Sequence, residues 1–182
     1  MLNFILQKAN GGDLFMGVKW KTTINKLPEL ETNLKGLKGK KIKIGALEGE
    51  NAWFAGIHEY GCRIKVTPKM RAYLHSQGLH LKDSTQEIVI PERAFLRNGY
   101  DTNADRIMGQ TSRAVAQVVA SKMSVDDMLD LCGQQFVTAI KTYMRDLSTP
   151  ENHPFTIEQK GSSNPLIATG GMLESISYKK EG

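Results

Sequence analysis

Apolar residues recur along this chain at two periods, and the changes of period divide it into elements. From 125 to 147 the sequence carries Val125, Met128, Leu129, Cys132, Phe136, Ile140, Tyr143 and Leu147, one every three or four positions. That spacing predicts an amphipathic helix of about 23 residues, roughly 34 Å long. Ser124 precedes it and Asp127 follows three residues later, a capping-box start with Asp in place of the usual Glu or Gln. A second stripe, Ile107, Thr111, Ala114, Val115, Val118 and Val119, predicts another helix. Gly109 and the β-branched residues lower its propensity, so packing must hold it. Nearer the start, Ile24, Leu27, Leu30, Leu34 and Leu37 predict a helix over 20–37, with Pro28 marking a start or a kink.

Period two appears in shorter runs. Residues 40–47 alternate Lys41 and Lys43 with Ile42, Ile44 and Ala46, and residues 85–90 alternate in the same way. Residues 63–67, "RIKVT", and a segment near 174–179 read as two more strands. Between them, Asn51 is placed to cap a short helix that Gly61 ends. Residues 68–84 read as a polar connection. Pro91 fits the first turn of a helix after strand 85–90, which makes "PERAFLR" (91–97) a strand-to-helix elbow with Phe95 turned into the core. Residues 148–165 hold three prolines and few large apolar side chains and read as a long exposed loop. Strands cluster without regular βαβ alternation. The expected class is therefore α+β: a small, mostly antiparallel sheet against two long helices, with the long loop before the last strand. One domain accounts for residues 1–182. Residues 1–19 form an extension with a Gly11-Gly12 hinge, and 20–182 form the core.

Charge sharpens this outline at one place. The chain has 182 residues and a net charge of +5. Residues 1–50 hold nine lysines against five acids, focused on Lys35 to Lys43. Two readings follow: a phosphate-contacting patch on a small nucleic-acid-binding module, or the solvated face of a strand. The second is favoured, because no arginine or aromatic side chain interleaves with the lysines. No apolar run approaches the ~20 residues that cross a bilayer. No signal peptide is read at the start. Cys62 and Cys132 are too few and too scattered for a disulfide framework, which suits a reducing compartment.

Catalytic patterns fail on inspection. His58-Glu59 begins a metalloprotease motif, but Cys62 stands where the second histidine is needed. His58 and Cys62 remain a zinc-hydrolase alternative, with Gly61 breaking the helix between them. His75 and His80 lie in the polar connection. "KGSSNPLIATGG" lacks the Gly-Lys-Ser/Thr of a phosphate loop, and no Gly-x-Ser-x-Gly elbow occurs. No catalytic residue, cofactor or metal is assigned, and a binding or structural role is expected.

Several segments in order carry a resemblance. His58-Glu59-Tyr60-Gly61 is followed by Ile90-Pro91-Glu92-Arg93-Ala94-Phe95-Leu96-Arg97. Lys160-Gly161 comes next, and then Pro165-Leu166-Ile167-Ala168-Thr169-Gly170 ending at Leu173. Over residues 40–180 this set resembles the neck or tail-completion proteins of tailed bacteriophages, the virion morphogenesis proteins of siphophages and Mu-like prophages. Ala94 departs from the pattern, which has proline there. The resemblance implies a non-enzymatic virion protein assembled in the bacterial cytoplasm. It implies a ring of its own copies, often a hexamer, that completes the tail or joins it to the head. Its partners would be itself, the tail tube and the head–tail connector. DNA would pass through the ring, without specific binding. Strands 85–90 and 174–179 would offer edges for pairing between subunits, and the 148–165 loop would order on assembly. Under that reading Arg93, Arg97, Lys160 and Thr169 are interface candidates. His58, Glu59, Tyr60, Gly61, Pro91, Phe95, Pro165, Leu166 and Gly170 form the structural motif. Whether Arg93 and Arg97 stay in water or meet acids of the next subunit is left open at this point.

Overall fold

The computed structural model describes residues 26–181 and, before them, the strands β1 (Ile5–Lys8) and β2 (Leu14–Gly17). These two strands pair antiparallel, Ile5 opposite Gly17 and Lys8 opposite Leu14. The Gly11-Gly12 hinge and the first part of the predicted 20–37 helix lie outside the described residues. Next come α1 (Leu27–Leu37), β3 (Lys41–Ala46), α2 (Gly49–Tyr60), β4 (Cys62–Lys65), α3 (Pro68–Ser76) and β5 (Glu87–Ile90). The chain ends with α4 (Phe95–Asp101), α5 (Ala104–Val119), α6 (Val125–Asp146), α7 (Pro154–Lys160), α8 (Gly171–Ser175) and β6 (Ile176–Glu181). The fold is α+β, and every strand pair is antiparallel.

The longest stripe becomes the spine. Ser124 Oγ accepts from Asp127 N at 3.0 Å and donates to the Asp127 carboxylate at 2.7 Å, so the acid serves as the box partner that the sequence offered. The first half of α6 places Met128, Leu129 and Cys132 against Ala114 and Val118 of α5, with Leu37 and Ile42 at the edge. Its second half places Ile140 and Met144 against Ala55, Phe95, Leu166 and Ile176. Phe95 is fully buried, as the elbow reading required. β3 crosses both clusters: Ile42 joins the first, and Ile44 and Ala46 join the second. Lys41 and Lys43 stay exposed on its other face.

The strands do not merge into one sheet. β3 pairs with β6, Lys41 opposite Glu181 and Ala46 opposite Ile176, and this ribbon lies on α6. β4 pairs with β5, Cys62 opposite Ile90 and Lys65 opposite Glu87. The whole of α2 stands between β3 and β4 and keeps the two ribbons apart. Several boundaries differ from the sequence reading. Glu48, rather than Asn51, precedes α2, and no side chain caps it. The polar connection contains α3, opened by Thr67, whose hydroxyl accepts from Met70 N at 3.2 Å. Pro28 starts α1 instead of kinking it. The 148–165 connection is largely exposed, and it holds α7 and several bonds to the body within a single chain. Assembly is therefore not needed to order it.

β6 meets α6 through Tyr178, whose hydroxyl donates to Asp130 at 2.9 Å, and through Lys180, which pairs with Asp126 at 2.8 Å and Asp130 at 2.9 Å. Tyr178 lies flat over Gly133. A Cβ there would fall 2.7 Å from Tyr178 Cε2 and close to two further ring atoms. Gly133→Ala should therefore force the β6 ribbon off α6 and destabilise the fold by about 1–3 kcal/mol, the ordinary cost of overpacking. Chemical denaturation checks this, and Gly109→Ala, where a Cβ meets nothing within 4 Å, should not lower stability.

Candidate functional site

The four sequence segments that carry the resemblance meet at one place, between the end of α2, the start of α4 and the turn after α7. The local reason is a set of helix ends that cannot satisfy themselves. α4 begins after Ala94, a residue without a capping side chain, held at φ 44°, ψ 39°. This left-handed conformation costs a non-glycine residue roughly 1–2 kcal/mol. Proline, with φ fixed near −65°, cannot adopt it. The departure from the family pattern at 94 thus goes with an elbow that proline could not form.

Glu59 supplies the missing cap from another helix. Its side chain is 2% exposed. One oxygen accepts from Leu96 N at 2.8 Å, and the other accepts from Arg97 N at 3.2 Å and Arg97 Nε at 2.9 Å. These are the free amides of the first turn of α4, where a negative charge is also favoured by the helix dipole. The exchange is reciprocal. Arg97 donates back to the Glu59 carbonyl at 2.9 Å, and Arg93 N donates to the His58 carbonyl at 2.8 Å. The last carbonyls of α2 are thereby satisfied by the elbow that α2 caps. Arg97 also pairs with Glu92 at 2.7 Å and stands 5.2 Å above the Tyr60 ring. Gly61 makes the approach possible. Its φ is 73°, and a Cβ there would lie 2.9 Å from Glu92 N and 3.0 Å from Ile90 O.

Arg93 joins this exchange to the 148–165 segment. It is 3% exposed, and its guanidinium donates to Pro150 O at 3.2 Å, Asn152 Oδ1 at 2.9 Å and His58 Nδ1 at 2.8 Å. Accepting from a guanidinium requires His58 to be unprotonated at Nδ1. Burial, the Arg93 charge and the nearby Lys160 hold its pKa at about 4. Lys160 donates to Asn164 O and, at 3.1 Å, to Ile167 O. Burial first, and Arg93 second, push its pKa down. Asn164 closes the knot. Its amide shares hydrogens among the carbonyls of Met144, Arg145 and Leu147 at the end of α6, and its Oδ1 accepts from Leu166 N at 2.8 Å and Ile167 N at 3.0 Å.

Among the interface candidates, Arg93 and Lys160 turn inward and bond within the chain. This corrects the picture of Arg93 either left in water or facing a neighbour's acid. Arg97, half exposed, and Thr169, exposed near the start of α8, reach the surface. Pro165 and Leu166 are buried, and Gly170 takes φ 89° ahead of α8. The zinc alternative loses its geometry, because His58 Nδ1 is taken by Arg93 and the Cys62 thiol leans on Arg63 O at 3.8 Å. Among the described residues no group of three or more His, Cys, Asp or Glu is placed to hold a metal ion. In the basic region, Lys35 pairs with Glu31 and Lys43 with Glu181, each at 2.8 Å.

The sequence reading missed Asn152, Asn164 and the pair Trp53–Phe54. Asn164-Pro165 is an ordinary turn signal, and nothing in it points to the end of α6. Trp53 and Phe54 are 65% and 46% exposed, with rings edge-on at 5.1 Å. Their signal was legible: two adjacent aromatics in a helix cannot both face one core. They border an apolar groove of about 490 Å³ between α2, the β4–β5 ribbon and residues 151–156.

Two predictions follow from the knot. Glu59→Ala leaves the first amides of α4 and the Arg97 guanidinium without their acceptor in a buried place, and should cost about 3 kcal/mol in chemical denaturation. For His58, the unfolded chain takes a proton near pH 6.5 and the folded chain near pH 4. Between these values the unfolded state binds more protons, so stability is full above about pH 6.5 and is lost as pH falls toward 4. Urea melts at pH 7 and pH 4.5 should show the unaltered protein losing on the order of 2 kcal/mol more than His58→Gln, after allowing for partial exposure. Parallel losses would contradict the assignment. No family model, curated protein or solved structure matches this chain in comparison.

Proposed function

We propose that this chain is a structural protein of a tailed-phage head–tail junction or tail terminus, working as a ring of its own copies and without bond-making chemistry. The observation that carries the reading is the convergence of the knot. The His58–Gly61, Ile90–Arg97, Lys160–Gly161 and Pro165–Gly170 segments, on which the resemblance rests, come together as one bonded unit instead of scattering over the surface. A second feature suits assembly. Among the described residues each ribbon has only two strands, so outer edges of β3–β6 and β4–β5 are left for another chain. A closed ring needs two different, complementary faces on each subunit. The apolar groove with its exposed aromatic rim is one such face.

Light scattering on the purified chain, followed by negative-stain images, tests this directly. The expected result is a mass several times 20.2 kDa and ring-shaped particles with a central opening. A chain that stays monomeric at high micromolar concentration, and does not associate with tail-tube or connector proteins, would contradict it.

A further inference from the structure

The groove beside Trp53 has the size of a small-ligand site but lacks the polar anchors of one. Ile57, Ile64, Ile88 and Ile90 line it, while His58, Arg93 and Asn152 at its inner end are already bonded to one another. What it offers is apolar surface, with Trp53 and Phe54 left in water at the rim. Large aromatic side chains in that position mark a surface that meets another protein.

The sequence holds a segment of matching chemistry. Residues 1–20 include Leu2, Phe4, Ile5, Leu6, Leu14, Phe15, Met16, Val18 and Trp20. β1 and β2 within it form a two-stranded hairpin, a structure only marginally stable in water by itself. Charge agrees. The first 26 residues carry four lysines and one acid, whereas Glu50, one turn before Trp53, and Glu151 on the groove wall are exposed acids. Position decides whose groove is filled. The hairpin joins the body through α1, which is seated at the start of α6: Asn33 donates to Val118 O and to Ser121 Oγ at 3.0 Å, and Gly36 touches Val125. The groove's 151–156 wall follows the end of α6, a helix about 33 Å long. The eight residues 18–25 reach about 28 Å when fully stretched. Hairpin and groove thus belong to opposite ends of the subunit, the arrangement of a head-to-tail contact.

We propose that the N-terminal hairpin of one copy docks in the Trp53–Phe54 groove of the next. The inference rests on the ring reading for its biological setting, but its test does not. Two full-length variants are needed. Leu6→Asp with Phe15→Asp spoils the hairpin, and Trp53→Asp with Phe54→Asp spoils the groove. Each alone should be monomeric by light scattering. Mixed in equal amounts, the sound hairpin of one meets the sound groove of the other, giving a 1:1 dimer of about twice the 20.2 kDa chain mass and nothing larger. A mixture that stays monomeric, or a hairpin variant that assembles like the unaltered chain, overturns the docking. A ring that forms without the hairpin leaves the ring reading standing while the docking fails. An unaltered chain that forms no ring sinks the ring alone, since the mixed dimer still decides the docking. Should either variant melt below the unaltered chain, a benzophenone placed at Phe54 reads the same contact. Crosslinks to residues 1–20 of a second, isotope-labelled copy support the docking, and crosslinks only within one copy overturn it.

Discussion

Everything near the elbow depends on one carboxylate with no water around it. Glu59 is a residue of α2, yet its bonds belong to α4: two backbone amides and a guanidinium converge on it. A buried charge is tolerable only when it is paired and fully bonded, so the end of α2 and the start of α4 have one acceptable relative placement. That placement sets the rest. It brings Arg93 under the 148–165 segment, and it seats Phe95 between Ala55 of α2 and Ile140 and Met144 of α6. Ala94 is then held in a backbone conformation it would not choose alone, a local cost offset by the bonds on either side.

The same logic recurs at the far end of α6. A long helix leaves its last carbonyls open, and here a single asparagine from the turn after α7 collects three of them. Through Asn164, Lys160 and Asn152, a segment with little apolar content gains a fixed course over the body. Order in this part of the chain is bought by polar bonds to helix ends, whereas α5 and α6 are held by apolar contact. This division explains why the segment looks like a free loop in composition and is anchored in the fold.

What was legible in the sequence follows this division. The stripe from Val125 to Leu147 and the Ser124 start predicted α6 almost to the residue, because packing and capping are both local patterns. The alternation at 41–46 and the turn at Gly61 were legible for the same reason. The partner of β3 was not: β6 lies some 130 residues later, and period two gives a strand its faces but not its neighbour. Nor did the pattern show that the strands form separate ribbons, since this depends on where α2 lies. At the site, the motif residues were named correctly as a set, but their roles were not. Arg93 looked like a surface arginine because charge argues for solvent, and only the folded chain supplies three acceptors around it. Trp53 and Phe54 were overlooked because a helix with a buried Ala55 beside them reads as ordinary core.

The central claim is that helix ends exchanging bonds, centred on Glu59, make the resembling segments one unit. Native-state hydrogen exchange at the Leu96 and Arg97 amides tests it most directly. These are first-turn amides, which in an uncapped helix would exchange by fraying. If Glu59 holds them, their opening free energies should match those of buried amides in the middle of α6, such as Ile140. Exchange at the rate of a frayed helix end, with α6 still protected, would contradict the account.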